Sequence, residues 1–126
     1  MKRVLRLAAA LLLSLPLSAH AQTGAWPQKP VRIVVPFPAG GSNDTLCRIL
    51  GEKLSSAWSQ PVIVDNKPGA GGNLSLAQTS KAPPDGYTIV IATAGIAVSP
   101  SMYANLGYDP VTDLAPVARL ASIPNV

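Results

Sequence analysis

The sequence predicts an α/β fold built from βαβ units around a mainly parallel sheet. Three observations carry this. Short β-branched runs recur at residues 31–36 (VRIVVP), 61–65 (PVIVD) and 87–93 (YTIVIAT), each of the length and composition of a buried strand. Between the runs lie segments with helical rather than alternating apolar spacing. Each run also opens into a loop rich in glycine and turn formers. Strands alternating with helices at this spacing make a parallel sheet with right-handed crossovers, covered by helices on its faces.

The elements follow in order. Residues 26–30 hold two prolines and no periodicity, and lead into the first strand. The loop FPAGGSND at 37–44 comes next. A helix is predicted over 45–58, with Asn43 or Asp44 as its N-cap. Leu46, Ile49, Leu50, Leu54 and Ala57 would form its inner face, while Arg48, Glu52 and Ser55 or Ser56 meet water. After the second strand the loop NKPGAGGN at 66–73 precedes a shorter helix over 74–81, which ends at the turn Pro83, Pro84, Asp85, Gly86. The third strand is followed by a loop over 94–100, a short helical piece near 101–106 and a turn with one helical coil at 108–114. An extended segment is expected from 115 to 122.

The first 21 residues read differently from the rest. Lys2, Arg3 and Arg6 precede an apolar stretch over 7–17, and Ala19, His20 and Ala21 supply a small-x-small site. That is a cleavable signal peptide, cut after Ala21. Its apolar stretch is about eleven residues, against the ~20 that a spanning helix needs. Beyond it remain seven basic and six acidic side chains, a net charge of +1. The apparent pI near 9.6 is therefore partly the leader's, and a nucleic-acid footprint is not supported. No cysteine lies near the cleavage site to carry a lipid. Cys47 is the single cysteine, expected as a small buried helix residue, and the single histidine, His20, leaves with the leader.

In an open parallel sheet, ligands bind beyond the carboxyl ends of the strands. Three loops gather at that edge: Phe37, Pro38, Ala39, Gly40, Gly41, Ser42 and Asn43; then Gly71, Gly72 and Asn73; then Thr93, Ala94 and Gly95. Glycines let backbone approach a ligand closely, and a helix N-terminus offers unpaired N–H groups with partial positive charge. Together they favour a small anion, most simply a carboxylate. Gly41 is expected to need positive φ and close approach, so Gly41→Val should weaken binding strongly. Ser42→Ala should cost only about 0.5–1.5 kcal/mol.

Other chemistries find less support. No GxSxG elbow surrounds Ser42 and no histidine can activate it. The sequence has no GxxxxGK[ST] loop, and GAGGN lacks the last glycine of a dinucleotide fingerprint. Asp44, Asp65, Asp85, Asp109 and Asp113 are scattered among caps and turns rather than clustered for a metal. Neither a metal site nor a catalytic residue is assigned.

The runs PVRIVVPFPAGGSND, QPVIVDNKPGAGGN, KAPPDGYTIVIAT and YDPVTDLAPVARLASIPNV together resemble the tripartite tricarboxylate transporter substrate-binding proteins, the Bug receptors. The resemblance runs from Trp26 to Val126 in the family's order and spacing. Asn43 stands where the family more often has threonine, and Cys47 where it usually has a small residue. The resemblance implies a periplasmic binding protein of type II-like fold, closing two lobes over an organic acid. It implies that residues 22–126 are part of the N-terminal lobe, with the second lobe absent. The first loop would help hold a carboxylate, partly through ordered water, with the other two loops in support. No cofactor is implied. The implied partners are a small organic acid and the membrane permease subunits of a tripartite carboxylate transporter, or no dedicated permease. The alternative is the N-terminal part of a secreted α/β hydrolase or dehydrogenase whose catalytic residues lie elsewhere.

Overall fold

The computed structural model describes residues 25–122; the predicted leader and its cleavage site lie outside them. β1 (Val31–Val35), β2 (Val62–Asn66) and β3 (Thr88–Val90) form a parallel sheet in the order β2-β1-β3. The register sets Ile33 beside Val64 on one side and Ile89 on the other. Helix α1 (Ser42–Trp58) joins β1 to β2. One 3-10 turn (Ala70–Gly72) and α2 (Asn73–Thr79) join β2 to β3, and α3 (Gly95–Met102) follows.

The chain thus leaves the central strand in one direction and returns past it to the other side. Right-handed crossovers in opposite directions place α1 and α2 on opposite faces. Accordingly α1 packs on β1 and β2, and α2 on β3 and β1. This explains why β1 reads as an almost continuous apolar run rather than an alternating one. Val31, Ile33, Val34 and Val35 are all buried, and only Arg32 reaches solvent. Ile33 and Val35 meet Cys47, with Leu50, Val62, Val64, Phe37 and Ile91 packed around them.

Helix α1 begins at Ser42, three residues before the predicted start, and its N-cap is Gly41 rather than Asn43 or Asp44. Asp44 lies inside the first turn and reaches back to accept the Gly40 N–H at 2.8 Å, much as the third residue of a capping box does. The inner face is also rotated from the predicted one. Asp44, Cys47 and Gly51 are its buried residues, while Ile49 is 56% exposed and Ala57 faces solvent. Small residues allow the axis to approach the sheet. A Cβ added at Gly51 would stand 3.4 Å from Val62 Cγ1.

Further along, β3 is shorter than its apolar run. The Ile91 N–H still reaches Val34 O at 3.0 Å, but Ala92 and Thr93 have left the sheet for solvent. Helix α3 occupies the predicted loop over 94–100 instead of starting near 101. Pro100 lies inside it, removing one N–H, while Ser99 Oγ donates to Gly95 O at 2.8 Å. The turn at 109–113 forms as expected, with Asp109 accepting the N–H groups of Val111 and Thr112. Residues 115–122 pair with no strand, and Val117 is 80% exposed. At the far end of the sheet, Trp26 meets Trp58 edge-on with centroids 4.9 Å apart, and Lys29 lies over the Tyr87 ring.

Candidate ligand-binding site

Because the sheet order reverses at β1, the crevice between the carboxyl ends of β1 and β3 is a topological switch point, where doubly wound sheets receive ligands. Two of the three predicted loops leave the sheet there, after β1 and after β3. The third returns to the same edge through packing: a Cβ added at Gly72 would stand 3.2 Å from Pro36 Cβ, at the end of β1.

The loops differ in what they offer. In the first, Phe37 is half-buried against the core, and Pro38, Ala39, Gly40, Gly41 and Ser42 are exposed, with Asn43 half-buried. No side chain caps the N-terminus of α1, so the N–H groups of its first turn are open to an acceptor. Gly41 is extended, with φ −79°, and a Cβ there would meet only Pro38 O at 3.7 Å. The positive φ expected at Gly41 belongs instead to Gly40, at +86°.

Of the second loop's candidates Gly71, Gly72 and Asn73, Gly71 is exposed while Gly72 and Asn73 are buried. Asn73 Oδ1 accepts the Tyr108 hydroxyl at 3.0 Å, and burial pushes that phenol's pKa upward. The site a Cβ would occupy on Gly71 is 3.4 Å from the Tyr103 hydroxyl. Ser75 Oγ donates to Lys67 O, and Lys67 N–H donates to Val35 O at 2.8 Å, fixing this loop to the sheet. In the third loop Thr93, Ala94 and Gly95 are all exposed, while Thr93 O accepts the Ile96 N–H at 3.1 Å. Gly40, Gly41, Ser42, Gly71 and residues 93–95 therefore present accessible backbone, whereas Gly72 and Asn73 build the shelf beneath.

Sequence reasoning missed the group that organises the first loop. Asp44 is 3% exposed. Its Oδ2 accepts from Gly40 N–H at 2.8 Å and Arg48 Nε at 3.0 Å, and its Oδ1 accepts from Asn66 Nδ2 at 3.0 Å. The Arg48 hydrogen bond, followed by that from Gly40, holds the Asp44 carboxyl at about 2, below its ordinary 3.8. Arg48 is shifted upward by the same contact. The neighbouring Cys47 thiol is pushed up by burial and then by the Asp44 charge, which keeps it a thiol rather than a thiolate. The readable signal was the i,i+4 spacing of Asp44 and Arg48. A hollow elsewhere, lined by Arg32, Val34, Lys67, Gln78, Thr79, Ala82 and Thr88, includes none of the candidate site residues.

The doubly wound sheet with open loops at its switch point matches part of a lobe of the type II-like periplasmic binding protein fold. The structure of the periplasmic binding protein BugD is similar, with TM-score 0.66 and 44% identity over 70% of this chain and 29% of that one. MatC from Rhodopseudomonas palustris with bound malate is similar as well, with TM-score 0.70 and 33% identity over 75% of this chain and 33% of the other. A UPF0065 protein of Bordetella bronchiseptica is 45% identical over 124 residues, which cover 97% of this chain and 36% of that protein. Residues 46–126 match the model of the tripartite tricarboxylate transporter family receptor. The chain belongs to that family. It spans about a third of the length of the curated relatives it matches.

Proposed function

We propose that this protein is a periplasmic solute receptor that binds a small organic acid through an ionised carboxylate and delivers it to membrane permease subunits. In this reading residues 1–21 are the signal peptide, removed after Ala21, and residues 22–126 belong to the first of two lobes. The observation that carries the carboxylate is the uncapped N-terminus of α1 at the switch point. There the N–H groups of the first turn and the positive end of a 17-residue helix face an exposed, glycine-lined loop. Gly71 and residues 93–95 flank it. The malate bound by the similar MatC structure and the tricarboxylate in the family's description support the same ligand chemistry.

Affinity should require ionisation of the ligand. Titration calorimetry on the product of the complete reading frame would compare malate, succinate, glutamate, citrate and benzoate with their amides. We expect at least one acid to bind, and its amide to bind at least about tenfold more weakly, because a hydrogen bond to a charged acceptor is worth about 1.5–3 kcal/mol. Equal affinity for acid and amide would remove the helix N-terminus from the site.

A further inference from the structure

We propose that Asp44 is a positioning residue for the carboxylate site and Arg48 its charge shield, an assignment that rests on the reading of that site given above. A carboxylate in the first turn of α1 is a paradox if that helix end receives an anion. Bare, it would cancel the helix's positive end and repel the ligand. The geometry resolves the paradox in two parts.

The first part is mechanical. Asn66 Nδ2 donates both to Phe37 O at 3.1 Å and to Asp44 Oδ1 at 3.0 Å, and Asp44 Oδ2 takes the Gly40 N–H at 2.8 Å. Phe37, at the start of the loop, and Gly40, at its middle, are thereby tied to the end of β2 and to α1. Gly40 N–H is consumed by this clamp and is not available to a ligand. With Gly40 held in a left-handed turn at φ +86°, the chain meets the helix with Gly41 extended and the first-turn N–H groups uncovered. The clamp sets where the donors stand without touching what they bind.

The second part is electrostatic. Arg48 Nε lies 3.0 Å from Asp44 Oδ2, and Arg48 Nη2 donates to Asn66 Oδ1 at 3.1 Å. The guanidinium therefore offsets the clamp's charge at a separation where two opposite unit charges are strongly coupled. Lys53, Lys67 and Glu52 are exposed or half-buried and form no hydrogen bond or ion pair with Asp44. Among the described residues Arg48 is its one ionic partner. An incoming anion then meets the helix end with a neutral pair behind it.

The test uses the product of the complete reading frame and two readouts. Without ligand, hydrogen exchange at the Gly40 amide should accelerate at least about tenfold in Asp44→Ala, since its acceptor is lost, and stay near wild type in Arg48→Gln. Should Asp44→Ala fail to fold, the nearly isosteric Asp44→Leu serves, because its side chain has no atom that can accept from Gly40. With the tightest acid of the panel above, Arg48→Gln should bind roughly three- to thirtyfold more weakly at low ionic strength. That deficit should shrink as salt screens the unshielded Asp44 charge. A merely structural role for Arg48 would give a deficit that salt does not change. Unchanged Gly40 exchange in Asp44→Ala overturns the clamp, and wild-type affinity or a salt-independent deficit in Arg48→Gln overturns the shield. If no acid binds the wild-type protein, the receptor reading falls and the shield with it, while exchange still decides the clamp.

Discussion

Substituting the adjacent glycines Gly40 and Gly41 one at a time separates backbone conformation from steric room, because the two differ in one and not the other. Gly40 has φ +86° and nothing within 4 Å of the position a Cβ would take. Gly40→Ala therefore meets no clash, and its native-state cost is that of an L-residue in left-handed space, about 1–2 kcal/mol. Gly41 has φ −79° and ψ 171°, which any residue adopts, and a Cβ there meets only Pro38 O at ordinary contact distance, 3.7 Å. Gly41→Ala gains about 0.4–1 kcal/mol by restricting the unfolded chain. It loses a comparable amount because alanine is a poor N-cap, so the net change is near zero. Urea denaturation of both variants, in the complete protein, should show Gly40→Ala with the lower midpoint and an unchanged slope. Equal midpoints, or a larger loss at Gly41, would refute this account of the loop. Gly41→Val then becomes a clean probe of the ligand. Any loss of affinity must come from crowding of the anion, because the backbone itself tolerates the side chain.

Two further outcomes follow from the polar contacts. Asp44 has a folded pKa near 2, lowered from 3.8, so its stabilisation is complete above the unfolded value and is lost as pH falls through the folded one. The difference in denaturation midpoint between wild type and Asp44→Asn should therefore be constant above about pH 5 and shrink as pH falls toward and through about 2; a difference that grows on acidification would contradict the network. Tyr108→Phe leaves Asn73 Oδ1 buried without its donor and should cost about 1–3 kcal/mol in urea melts, a loss that would be absent if the second loop were not held by this bond.

The parts of the fold legible in the sequence are those where one physical rule acts alone. β-branched runs gave the strands to within a residue or two at most ends, most clearly at β1, where a strand covered on both faces tolerates little else. The βαβ order gave parallel pairing and the edge on which loops gather. Where rules competed, composition misled. Leucine and isoleucine spacing pointed to Ile49 and Ala57 as inner residues of α1, but the apolar and small residues buried there are Cys47 and Gly51. Close approach selects small side chains that carry little hydrophobic signal. The sequence predicts a loop over 94–100, yet a helix as short as α3 forfeits only one hydrogen bond to Pro100.

The candidate site shows the same division with more consequence. Open glycine loops and a helix start could be read directly, because φ freedom and donor geometry belong to the backbone. The role of Asp44 could not, since an aspartate after GGSN is equally an N-cap, a turn residue or a ligand-facing acid. What distinguishes these is a partner 22 residues away: Asn66 on the end of β2 makes the acid a clamp. That partnership depends on register, because Val35 stands opposite Asn66 in the β1–β2 pairing. A slip of one residue would turn Asn66 to the other face of the sheet. Asp44 and Arg48 would then remain a surface i,i+4 pair with no hold on Phe37. The first loop owes its shape to strand register as much as to its own glycines, and a substitution at Asn66 should disturb it as surely as one within the loop.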